Sequence, residues 1–195
     1  MPLRFQNPPD ASFERLTEAL GTAASGAVGM KTARSSLPTV GLTRPHPVYA
    51  LGLEQIVQGG DLSHVKPVGW RYFIEGSDGK TVAAEVYLTH QPPGHRMGAL
   101  NRGKSVEGTL DQLAKANNDA RFSAATYDVQ LLRVPALCLS FLWLKAPEDH
   151  GDSFVAIEPT FSPFSAGEVC SVTELEQRLK PLAIERLKTD DSPHQ

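Results

Sequence analysis

Ala125–Lys145, ATYDVQLLRVPALCLSFLWLK, is the longest apolar run in the chain, and its reading decides the fold. Across Tyr127–Val134 the residues Tyr127, Val129 and Leu131 alternate with Asp128, Gln130 and Leu132, the period-two pattern of a half-buried strand. From Leu137 to Leu144 both sets turn apolar. Leu137, Leu139, Phe141 and Trp143 make one face; Cys138, Leu142 and Leu144, with Ser140, make the other. A strand apolar on both faces is central and covered on both sides. A buried helix is the competing reading, but Phe, Trp and the short length favour a strand. Pro135 removes a ladder donor, so a bend, a bulge or a short link belongs there. One long bent strand and two shorter ones both satisfy the pattern.

The whole chain bounds what this run can belong to. A length of 195 residues suits one domain with a real core. Apolar content of 41% and charged content of 21% are ordinary for a soluble globular protein. A net charge of −3 gives no general reason to expect nucleic acid or an anionic membrane as partner. The start, MPLRFQNPPD, carries no apolar core of a secretory signal, and every long apolar run is broken by charge, so no membrane-spanning helix is expected. Two cysteines, Cys138 and Cys170, make no disulfide framework and read as reduced thiols in a cytoplasm.

Outward from the central run the elements follow in order. Residues 10–20 predict a helix capped by Asp10, with Phe13, Leu16 and Leu20 on one face. Gly21–Thr43, rich in small residues, reads as a flexible or docking segment. Pro47–Leu51 predicts a short strand, and Leu53, Ile56 and Val57 a helical turn or two. Trp70–Glu75 and Thr81–Thr89 alternate around Gly76-Ser77-Asp78-Gly79 as a hairpin. Gln91–Lys104 reads as a loop, and Ser105–Asn117 as an amphipathic helix on Val106, Leu110, Leu113 and Ala114. A further strand over Ser153–Ile157 pairs antiparallel with the central run. Ser171-Val172-Thr173-Glu174 fits a capping box before a last helix, which Pro181 should kink or split, and the tail 189–195 reads as frayed. Hairpins dominate. The class is α+β: a mainly antiparallel sheet of four to six strands, with three or four helices packed on it in a single domain over residues 1–195.

One motif bears on chemistry. Gly98-Ala99-Leu100-Asn101-Arg102-Gly103-Lys104-Ser105 fits G-x-x-x-x-G-K-[ST] and over these eight residues resembles the Walker A loop of P-loop nucleotide-binding proteins. The resemblance implies that Lys104 reaches phosphate oxygens and Ser105 holds Mg²⁺. The surroundings depart from that family. Gln91–Met97 separates the motif from the nearest strand, no strand ends in a suitable Asp, and the sheet reads antiparallel. A broader reading needs no nucleotide. His95, Arg96, Arg102 and Lys104 cluster before a helix with no acid among them, so an anionic ligand or an acidic partner surface can dock there. The anion- or phosphate-binding set is thus Arg96, Gly98, Arg102, Gly103, Lys104 and Ser105.

Other residues carry less. His90 and His95 lack the converging ligands a zinc site needs, so no metal or cofactor is expected. Cys138 reads as a core hydrophobe and Cys170, before a helix start, as the better reactive thiol. Trp70, Tyr72, Phe73 and Tyr87 concentrate aromatic surface on one hairpin, one face of which is available to a partner or an apolar ligand. No residue constellation marks a catalytic centre. The sequence therefore points to a non-catalytic binding protein with a protein partner or a second copy of itself. A nucleotide- or phosphate-binding enzyme using Gly98–Ser105 and a carrier of small apolar ligands between sheet and helix are the alternatives.

Overall fold

In the computed structural model the central run divides at Pro135. Strands β6 (Tyr127–Val134) and β7 (Leu139–Lys145) pair antiparallel, joined by a single 3-10 turn over Pro135–Leu137. Cys138 closes that turn in the left-handed conformation, with φ of 51°. Two shorter strands are thus the answer, since proline starts the turn with its φ already set. The structure describes residues 2–25, 42–59, 62–75, 79–92, 94–148 and 150–190.

Seven more strands join them: β1 (Leu3–Arg4), β2 (Leu42–Ala50), β3 (Pro67–Glu75), β4 (Thr81–Leu88), β5 (His95–Asn101), β8 (Ser153–Ile157) and β9 (Val169–Ser171). They form one nine-stranded sheet in the order β5-β4-β3-β2-β6-β7-β8-β9, with β1 beside β6. Pairing is antiparallel except where β1 and β2 both run parallel to β6. The expectation of four to six strands is therefore corrected to nine. The missed strands lack period-two apolar patterning. β5 contains Gly98 and half-exposed residues, and β1 and β9 are two and three residues long; β2, expected only over Pro47–Leu51, spans Leu42–Ala50. The expected antiparallel pairing of Ser153–Ile157 with the central run is present, Phe141 lying opposite Ala156.

Among the described residues four helices cover the sheet: α1 (Asp10–Ser25), α2 (Leu53–Val57), α3 (Lys104–Asn118) and α4 (Val172–Asp190). One face of the central strands, with Leu132, Phe141, Trp143 and Phe154, packs on α2 and α4 through Ile56, Leu175 and Leu179. The opposite face, with Leu131, Leu142 and Leu144, packs on α3 through Val106 and Leu113. Leu16 of α1 buries Trp70, Tyr72 and Ile74 of β3. The two-faced apolar reading of Leu139–Leu144 is thus satisfied by a helix layer on each side.

Three boundaries shift. Residues 21–25 continue α1 and Leu42 and Thr43 open β2; the rest of the small-residue segment lies outside the described residues. Pro181 neither splits nor ends α4, which runs continuously to Asp190, and the tail beyond it lies outside the described residues. The Ser171 cap forms as read, with Ser171 N–H donating to Glu174 Oε2 at 2.8 Å and Glu174 N–H to Ser171 Oγ at 3.3 Å.

Candidate functional site

The eight residues of the Walker-like motif do not form one loop. Gly98–Asn101 are the second half of β5, paired with β4 from Glu85↔Ala99 to Ala83↔Asn101. Only Arg102 and Gly103 link β5 to α3, and Gly103 turns the chain with φ of 84°. The stretch Gln91–Lys104, read as a loop, thus holds the last strand of the sheet. β5 pairs with β4 on one side and with no strand among the described residues on the other. An edge strand of this kind presents a row of free backbone N–H and C=O groups.

The register assigns the two faces of this edge. Arg96, Ala99 and Asn101 stand opposite Tyr87, Glu85 and Ala83, on the α3 side; Met97 and Leu100 stand opposite Val86 and Ala84, on the α1 side. Arg96, Arg102 and Lys104 are exposed, and none of them forms an ion pair among the described residues. The other side carries His95 opposite Leu88 and two exposed leucines, Leu88 at 42% and Leu100 at 46%.

What holds the edge in place is a polar network under α3. His46, Arg71 and Glu85 form one cross-strand row over β2, β3 and β4, each of them buried. Arg133 of β6 grips Glu85 with both guanidinium nitrogens, Nη1 donating to Oε2 at 2.7 Å and Nη2 to Oε1. Tyr87 Oη donates to Glu85 Oε2 at 2.8 Å, and Asn101 Nδ2 reaches Glu85 Oε1 at 3.3 Å, which ties the end of β5 to the network. Arg71 Nε lies 3.6 Å from Glu85 Oε1, an ion pair but too long for a hydrogen bond, and its Nη1 reaches Thr109 Oγ1 of α3 at 3.4 Å. Burial pushes the Glu85 carboxyl up, but the Arg133 hydrogen bonds and charge, then Tyr87 and Arg71, outweigh it and hold it below its ordinary value. Burial lowers Arg71 to about 10, against the pull of Glu85. The imidazole of His46, 5.5 Å from the Phe73 ring, is pushed down to about 4 by burial, so it is neutral at pH 7.

Two glycines complete the support. The Tyr87 ring lies between Gly69 of β3 and Gly98 of β5. A Cβ at Gly98 would come within 2.3 Å of Tyr87 Cε2, and one at Gly69 within 3.0 Å of Cδ1. Glycine inside a strand marks such a close approach. The row His46–Arg71–Glu85 and this glycine pair escaped the sequence reading. The signal for them was a charged residue at an inward position of the hairpin, Arg71 between Trp70 and Tyr72, together with a glycine in each strand beside Tyr87.

The aromatic platform is largely interior. Trp70, Tyr72 and Phe73 are 8%, 1% and 1% exposed, and only Tyr87 reaches part of the surface. Packing explains the correction, because α1 covers one face of the hairpin and α3 the other. The cysteines also exchange places: Cys138 is exposed and Cys170 buried, with burial pushing the Cys170 thiol up. Between sheet, α2 and α4 the cavity lined by Leu51, Ile56, Leu62, Leu175 and Leu179 holds about 20 Å³, room for a water rather than an apolar ligand. Among the described residues no cluster of three His, Cys, Asp or Glu is placed to hold a metal, and no helix is long and apolar enough to cross a membrane.

No protein-family model, curated protein or solved structure matches this chain.

Proposed function

We propose that this is a non-catalytic interaction protein that takes an extended segment of a partner onto the edge of β5. The observation that carries this reading is the unpaired edge itself: seven residues, His95–Asn101, with no strand hydrogen-bonded on the outer side among the described residues. Strand addition gains affinity from main-chain hydrogen bonds and specificity from the alternating side chains. The support under β5 suits that use. Tyr87 on Gly98 and Asn101 on Glu85 hold the strand against the sheet before any partner arrives, so little ordering entropy remains to oppose binding.

The test is selection of linear peptides from a random library against the full chain, followed by amide hydrogen exchange of the complexes. Selected peptides should slow exchange along His95–Asn101. Methylating alternate backbone nitrogens on the peptide's pairing edge should abolish binding, and methylating those on its outer edge should not. Peptides that bind while leaving β5 exchange unchanged, or that tolerate N-methylation on either edge, would overturn the proposal.

A further inference from the structure

The two sides of the β5 edge differ in chemistry, and the difference selects a partner. Arg96 stands in the strand on the α3 side, and Arg102 and Lys104 follow immediately in the link and the first turn of α3, all exposed and without an ion pair among the described residues. No acidic residue occurs between His90 and Ser105; the first acid beyond is Glu107. On the α1 side stand Leu88 and Leu100, each more than two-fifths exposed. An added strand alternates its own side chains between these same two faces. Resting on the strand-addition reading above, we infer that the occupant is an extended acidic segment of a partner protein in which Asp or Glu alternates with apolar residues. Its carboxylates face Arg96, Arg102 and Lys104, and its apolar side chains cover Leu88 and Leu100.

A second copy of this chain fits less well. Antiparallel pairing of β5 with its own copy sets the start of one strand, with Arg96, against the end of the other, where Arg102 follows Asn101. Like charges so placed repel. An acidic strand instead neutralises three cations that nothing else in the described structure neutralises, and that neutralisation is screened by salt.

The experiment uses blocked octapeptides in which Val alternates with Glu, with Gln or with Lys, titrated into the full chain at low and high salt. Binding is read by fluorescence anisotropy and its place by amide exchange. The Glu–Val peptide should bind about tenfold or more tightly than Gln–Val, lose most of that advantage at about 1 M salt, and protect β5. Reversing Arg96, Arg102 and Lys104 to Glu should transfer the preference to Lys–Val, and the milder Arg96→Gln, Arg102→Gln, Lys104→Gln variant should abolish it. Equal affinity for Glu–Val and Gln–Val, with β5 protected by both, would overturn the acidic partner and leave strand addition standing. Protection of β5 by none of the peptides, at concentrations where the chain is monomeric, would overturn both. Protection that instead grows with protein concentration alone would identify a second copy as the occupant and overturn the acidic segment.

Discussion

Arg133 and Glu85, forty-eight residues apart in the chain, meet as a two-pronged ion pair beneath α3, with the Glu85 side chain 1% exposed and that of Arg133 24% exposed. The pair connects the two halves of the sheet, since β6 and β4 are separated by β2 and β3. Glu85 also answers the charge of Arg71, which is equally buried. Removing the carboxylate would leave a buried guanidinium without its counter-charge. Glu85→Ala should therefore destabilise the fold by roughly 3–5 kcal/mol, read from urea denaturation. Arg133→Met should lose less, because Arg71 still faces Glu85 and water reaches part of the Arg133 site. A loss below about 1 kcal/mol for Glu85→Ala would show that the network is not holding the sheet.

His46 gives the fold a pH dependence of known sign. Its folded pKa is about 4 against an ordinary 6.5, chiefly through burial, with Arg71 and Arg133 lowering it and the Arg44 carbonyl and Glu85 raising it. The unfolded chain therefore binds a proton first as the pH falls. Stability contributed by neutral His46 is full above about pH 7 and is lost on the way down to about pH 4, on the order of 3 kcal/mol in all. Glu85, held below the usual carboxylate range, loses its contribution only as the pH falls further. Urea midpoints between pH 7 and pH 4.5 should fall for the wild type and fall less steeply for His46→Phe, whose ring suits the site between Phe5 and Phe73. Parallel slopes for the two proteins would refute the assignment.

Elements with strong local patterning were legible in the sequence, and those defined by long-range pairing were not. The hairpin of β3 and β4, the Ser171 capping box and the two-faced run Leu139–Leu144 each carry their own signal in alternation or capping chemistry. β5 carries none. Its residues alternate between half-buried and exposed rather than apolar and polar, and Gly98 is required by the ring of Tyr87 instead of by a loop. The same glycine supplied the first position of a Walker-like spacing. The cluster Arg96, Arg102 and Lys104 was visible as charge, but that it flanks an open sheet edge depends on pairing with β4. His46, Arg71 and Glu85 come together only once β2, β3 and β4 are in register.

Gly98→Val tests whether the glycine supports the edge. Any Cβ there meets Tyr87 ring carbons at 2.3 and 2.4 Å, so the ring must leave, taking its hydroxyl from Glu85. Loss of that hydrogen bond and of ring packing should lower stability by about 1–3 kcal/mol. It should also accelerate amide exchange along His95–Asn101. Tyr87→Phe, which keeps the ring and loses only the hydroxyl, should show a smaller loss and near-normal exchange in β5. Equal effects of the two substitutions would mean that the ring's position on Gly98 is unimportant.

The two thiols should separate cleanly by reactivity, in the order opposite to that suggested by the sequence. Cys138 follows Pro135–Leu137 at the chain reversal, in the left-handed conformation, and is exposed. Cys170 stands opposite Phe154 in β9, is 1% exposed, and has its thiol pushed up by burial, so both access and thiolate fraction are low. A disulfide reagent at pH 8 should modify one thiol per native chain, and the second only as the protein unfolds in urea. Cys138→Ser should remove the native reaction entirely, and Cys170→Ser should leave it intact. Rapid labelling of both thiols in the native state would show that the cover over Cys170, where α4 packs on β8 and β9, opens freely.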